Sequence, residues 1–115
     1  MPVQISVMVL TSQLIFTVAD AVPQFDIPRG CKVDSASAFD PKAGMNATIK
    51  RCMDDEQQAK NQLQTQWSDF AAADRAMCTS ETVGVKADAN ATPPSYVDLL
   101  SCLQDQQQAR KPPKN

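Results

Sequence analysis

The chain contains no histidine. That absence removes the Ser-His-Asp and Cys-His nucleophile devices and the imidazole metal ligand, and with them a large share of hydrolase mechanisms. Glycine is sparse, with three among 115 residues, and none is arranged as a phosphate-cradling loop or a nucleophile elbow. A dominant charge is also missing. Eleven basic and 13 acidic residues leave a net charge of −2, too little of either sign for a partner held chiefly by charge. The only basic cluster, Arg110, Lys111 and Lys114, is broken by Pro112 and Pro113 and has no aromatic neighbour, so nucleic acid is not expected as a partner. Paired carboxylates are the remaining acid-base option. Asp54, Asp55 and Glu56 are consecutive, however, and consecutive helical residues point about 100° apart, so they read as a solvated helix face and not as two acids flanking a substrate. No catalytic, cofactor-binding or metal residue is assigned, and the chain is expected not to be an enzyme.

What is present points to export. From Val3 to Ala19 no side chain is charged, and the apolar runs Val7-Met8-Val9-Leu10 and Leu14-Ile15-Phe16-Thr17-Val18 lead into Ala19-Asp20-Ala21, the small-x-small pattern of a signal-peptidase site. No Lys or Arg precedes the runs, so the terminal amine alone supplies positive charge. Thr11, Ser12 and Gln13 dilute the stretch below the ~20 mostly apolar residues of a permanent span. Residues 1–21 therefore read as a signal peptide, with a mature chain that starts at Val22, holds no membrane span and works in the periplasm or as a secreted protein.

The cysteines agree with that compartment. Cys31, Cys52, Cys78 and Cys102 are separated by 20, 25 and 23 residues, without a C-x-x-C, and four cysteines in a short exported chain read as two disulfides. Zinc sites usually draw their thiolates from close pairs, which are absent. A domain this small buries little apolar surface, so each crosslink is expected to matter, at about 2–4 kcal/mol.

Residues 22–43 are punctuated by Pro23, Pro28, Gly30 and Pro41 and read as an extended arm, with Phe25, Ile27, Val33 and Phe39 available to pack on helices. From Met45 an amphipathic helix is expected, because Met45, Ile49, Cys52, Glu56, Ala59, Leu63, Gln66 and Phe70 recur at steps of four and three, with Met53 and Trp67 beside the stripe. Its outer face offers the i,i+4 pairs Lys50 with Asp54, Arg51 with Asp55, and Glu56 with Lys60. Ser68 or Asp69 is placed to cap a second helix to about Glu81, although no Pro or Gly forces a break and one continuous helix through Trp67 to Cys78 is the alternative. Thr82 to Pro94 reads as a loop. Ser95 with Asp98 three residues on then resembles a capping box opening a third helix, with Tyr96, Leu99, Leu100 and Leu103 inward and fraying near Ala109. The expected fold is all-α: a small disulfide-stapled bundle of two to three helices over residues 44–110, an extended N-terminal arm, and a disordered tail at 111–115.

Three helices in up-down-up order suggest a disulfide pairing. If the first starts near Gly44 and the third near Ser95, Cys52 and Cys102 stand ~12 and ~10 Å above the same end. Cys78 and the arm carrying Cys31 would also arrive there, giving Cys52–Cys102 and Cys31–Cys78 as the expected bonds.

Two Asn-x-Thr triplets, Asn46-Ala47-Thr48 and Asn90-Ala91-Thr92, would matter only in a eukaryotic secretory pathway. Glutamines at 57, 58, 62, 64 and 66, then 104 and 106–108, coat the first and third expected helices as good helix formers on a wet surface, or as an uncharged polar contact for a partner helix.

The strings Cys52-Met53-Asp54-Asp55-Glu56-Gln57-Gln58-Ala59, Phe70-Ala71-Ala72-Ala73-Asp74-Arg75 with Trp67 and Cys78, and Pro94-Ser95-Tyr96-Val97-Asp98-Leu99-Leu100-Ser101-Cys102-Leu103 resemble a group of small four-cysteine exported helical proteins of alphaproteobacteria. The resemblance covers about residues 52–109 and implies a periplasmic location, with no activity attached. A weaker similarity is to the periplasmic lysozyme-inhibitor family, whose helical members carry a Trp, a downstream Cys and a later Cys-Leu followed by Arg; Trp67 and Cys78 stand farther apart here. The functional expectation is a non-catalytic interaction module with an unidentified protein partner. The alternative is a protein inhibitor of a cell-wall hydrolase, acting through the loop Thr82 to Pro94. The sequence leaves the oligomeric state open.

Overall fold

The computed structural model describes residues 21–37, 41–84 and 93–112, all of it helix, turn or irregular chain. Residues 1–20, within the expected signal peptide, residues 38–40 with Phe39, residues 85–92 with the triplet at Asn90, and the end of the tail from 113 on lie outside the described residues. Four α-helices occur among the described residues: α1 (Ile27–Ser37), α2 (Met45–Gln66), α3 (Ala72–Val83) and α4 (Tyr96–Arg110), with a 3-10 turn at Trp67–Asp69 between α2 and α3.

The all-α expectation holds, with three corrections to its outline. Extended chain is confined to the start of the arm, and Ile27–Ser37 is helical. Pro28 and Gly30 do not break this helix. Pro28 stands in the first turn, where its missing N–H has no helical partner to lose, and Asp26 caps the end by accepting a hydrogen bond from the Arg29 N–H at 3.1 Å. The second correction concerns α3. Its N-terminal neighbour is Ala71, without a side-chain cap, so neither Ser68 nor Asp69 caps it as expected.

The chain does break after Gln66, at a 3-10 turn. Trp67 and Phe70 are both buried at either end of the turn, so the core seats the break itself. The 3-10 turn closes with the Phe70 N–H bonded to the Trp67 carbonyl, and Phe70 then turns extended, at φ −80° and ψ 145°. As the third correction, Thr82 and Val83, expected in a loop, are the last residues of α3; Gly84 ends the helix at φ 75°, a left-handed conformation that suits a residue without Cβ.

The core is one cluster of Ala59, Leu63, Trp67, Phe70, Cys78, Tyr96, Leu99, Leu100 and Leu103, with Val22, Phe25, Ile27 and Cys102 packed against it. The stripe read from the sequence supplies its α2 members, whereas Met45 and Met53 remain over a third exposed. Each fully buried Leu or Tyr contributes about 1.5–3 kcal/mol of transfer free energy. Successive helices alternate in direction. Cys31 and Cys52 join α1 to α2, Cys78 and Cys102 join α3 to α4, and α4 lies along α2, its Val97, Leu100 and Ser101 lining one groove with Asp55, Gln58 and Gln62.

Candidate functional site

The disulfides are Cys31–Cys52 and Cys78–Cys102, with Cα atoms 5.6 and 5.7 Å apart. All four cysteines thus pair as expected in kind, but the expected partners Cys52–Cys102 and Cys31–Cys78 are wrong. The reason is axial offset. The start of α4 is level with Glu56 and not with Gly44, twelve residues farther along α2 or ~18 Å at the helical rise, which carries Cys102 far past Cys52. Folding residues 27–37 into a helix antiparallel to α2 then brings Cys31 beside Cys52. Each bond closes a loop of 21 or 24 residues, for which the chain-entropy model gives about 3 kcal/mol. Two disulfides are compatible with an oxidising compartment.

Glu56 is the second unanticipated feature. It was placed in the apolar stripe and also in a surface pair with Lys60; the stripe position is right and the surface pair is not. Glu56 is buried, and its carboxylate receives the Tyr96 N–H at 2.7 Å, the Val97 N–H at 3.4 Å and the Ser95 hydroxyl. Ser95 in turn accepts the Asp98 N–H at 3.3 Å, as its capping position predicts. The first three N–H groups of α4, which have no helical acceptor, are therefore all satisfied, and a negative group sits at the positive end of the helix dipole. Lys60 instead lies over the Tyr96 ring, 5.6 Å from its centroid. Of the surface pairs, Lys50 with Asp54 forms, at 2.8 Å, and this contact raises the Lys50 pKa from its ordinary value.

The other buried carboxylate, Asp74 in the first turn of α3, is held by Arg110 at the end of α4 through two bonds of 2.6 and 2.9 Å. Hydrogen bonding to the guanidinium holds the Asp74 carboxyl below its ordinary pKa of 3.8, against the opposing effect of burial. Arg110, a member of the C-terminal basic cluster, closes the α3–α4 pair at the end remote from Gly84.

Tyr96 performs a third linkage. Its hydroxyl donates to the Pro23 carbonyl and accepts from the Phe25 N–H, both at 2.8 Å, and its ring meets Phe25 with centroids 4.6 Å apart. The extended start of the arm is thereby fixed on the core.

Outside these linkages the surface carries shallow grooves. One, of about 480 Å³, lies between the arm and α2 and is lined by Phe25, Ile27, Pro28 and Met53, with Asp26, Asp54 and Gln57 at its edge. A smaller one between α2 and α4, of about 280 Å³, joins Gln58 and Gln62 to Ala59, Val97 and Leu100, so two of the expected contact glutamines do flank an apolar floor. The loop assigned to hydrolase inhibition falls mostly outside the described residues. Asn46 is exposed in the first turn of α2. Among the described residues no helix is long and apolar enough to cross a membrane, and no three His, Cys, Asp or Glu side chains cluster as a metal site.

Fold and linkages together define a small all-α protein built from two disulfide-stapled helix pairs. No family model, curated protein or solved structure matches the chain.

Proposed function

We propose that the chain is exported to the periplasm or secreted and acts there as a non-catalytic protein-interaction module. The observation that carries this reading is the groove between the arm and α2, whose apolar floor of Phe25, Ile27, Pro28 and Met53 stays open at the surface. Tyr96 fixes one wall and the Cys31–Cys52 bond braces the other, so the floor is held before any partner arrives. A preformed apolar floor with a polar rim is the anatomy of an interface centre, and an exposed methionine adapts to varied apolar side chains. The buried carboxylates support the same reading, since Glu56 and Asp74 are engaged in joining helices.

The test is capture from periplasmic extract by the immobilised mature domain, with Met53→Glu as the paired bait. The expected result is a protein retained by the wild type and lost with Met53→Glu, while the melting temperature of the variant stays within a few degrees of wild type because Met53 is substantially exposed. Equal retention by both baits would overturn the groove as the contact. Inhibition of lysozyme by the purified domain, unaffected by Met53→Glu, would replace this reading with the inhibitor.

A further inference from the structure

We propose that the arm from Val22 to Asp26 is a latch that closes only after the signal peptide has been removed, so that the Ala21–Val22 bond is open to a signal peptidase in the unfolded precursor and shielded in the folded one. The inference rests on the export reading above and adds an order of events to it.

The argument starts from what a peptidase needs. Such enzymes bind substrate as an extended strand, pairing with its backbone groups and seating side chains on both sides of the scissile bond. Here the residues just after that bond are already occupied. Val22 is half-buried against the core, the Tyr96 hydroxyl donates to the Pro23 carbonyl, and the Phe25 N–H donates to the Tyr96 hydroxyl oxygen, each at 2.8 Å. Phe25 is also stacked on Tyr96, which is fully buried. Ala21 is exposed, so among the described residues shielding comes from the downstream side. To enter an active site, the arm must give up both hydrogen bonds, the ring contact and the burial of Val22 and Phe25. Those losses hold the open form to about one molecule in a hundred or fewer, and cleavage of a transiently opened segment follows that population.

Chemically the step is a hydrolysis: water adds across the Ala21–Val22 amide, leaving a carboxylate on Ala21 and an ammonium on Val22. The new terminus then lies in the groove formed with Gln64, Trp67, Ser68 and Arg75, as a seated end and not a free tail.

The experiment presents the full chain to purified signal peptidase in detergent, once oxidised and folded and once reduced in mild denaturant that the enzyme tolerates, and follows the Val22 terminus by mass spectrometry. The reduced chain should be cut about 100-fold faster. Tyr96→Phe, which keeps the ring and removes the hydroxyl, should raise cutting of the oxidised chain by about 10- to 30-fold. A second variant leaves the core untouched: six Gly-Ser residues inserted after Ala21 move the bond away from the latch, and the oxidised chain should then be cut as fast as the reduced one. Equal rates for the oxidised and reduced wild type would overturn the latch while leaving export intact, as would continued resistance of the spacer variant. No cleavage at Ala21 in any form would overturn the export reading itself, and the latch with it.

Discussion

Replacing Glu56 with Ala removes the acceptor that completes the start of α4. Two charge-assisted hydrogen bonds, from Tyr96 N–H at 2.7 Å and from the Ser95 hydroxyl, are lost outright, and the longer contact from Val97 N–H goes with them. Bonds to a charged group contribute about 1.5–3 kcal/mol each, and a buried N–H left unmade adds its own desolvation cost. Ser95 is half-exposed, so water recovers part of the loss. The net expectation is a destabilisation of about 2–4 kcal/mol. For a domain of this size that is a fall in melting temperature of about 10–25 °C. Glu56→Gln should fall between, since its carbonyl still accepts while its amide faces donors with donors. The single tryptophan, Trp67, is buried beside the affected helices and reports unfolding in urea directly. Hydrogen exchange adds the local view: the amides of Tyr96 and Val97 should lose protection before those of Leu63. As a control, Gln58→Ala on the exposed side of α2 should change stability by less than about 0.5 kcal/mol. If Glu56→Ala melts within that same margin of wild type, the buried carboxylate does not hold α4, and the linkage argued from it fails.

Further outcomes follow from other linkages. Asp74 titrates below its ordinary value of 3.8, so its pairing with Arg110 stabilises the fold above that pH and is lost as the pH falls through the lower folded value. Asp74→Asn should therefore destabilise at neutral pH and flatten the acid limb of a stability-pH curve; an unchanged acid limb would contradict the pair. Gly30→Ala should stabilise by about 0.5–1 kcal/mol, because Gly30 lies inside α1 and an added Cβ meets Pro93 at an ordinary 3.7 Å. A loss on thermal melting would show that the approach is tighter than this. Replacing Cys78 and Cys102 together with Ala should cost about 3 kcal/mol in urea unfolding, and a variant as stable as wild type would remove the staple from the account.

Much of the helical content was legible in the sequence because it follows local rules. The period of α2 and the Ser95–Asp98 start of α4 depend on spacing and capping within a few residues, and both appear where expected. Helix α1 was missed although its signal is present: Asp26 followed by Pro28 is a helix opening, and it was outweighed by counting Pro and Gly as breakers. Glu56 carried a signal as well. A carboxylate on an apolar stripe must find donors, and a helix start is a ready source of them. The disulfide pairing was not legible, because it depends on how far α4 slides along α2. That offset is set by tertiary contacts, chiefly Glu56 with α4 and the seating of Trp67 and Phe70, and no local spacing encodes it. The latch was out of reach for the same reason, since Tyr96 and Phe25 are 71 residues apart in the chain.

Non-reducing peptide mapping of the purified protein tests the central claim most directly, because the two helix pairs, the offset of α4 and the proposed export all meet in the disulfides. Digestion without reduction should yield one linked peptide pair containing Cys31 and Cys52, another containing Cys78 and Cys102, and an N-terminal peptide that starts at Val22. Linkage of Cys52 to Cys102, or four free thiols on a chain that still begins at Met1, would contradict it.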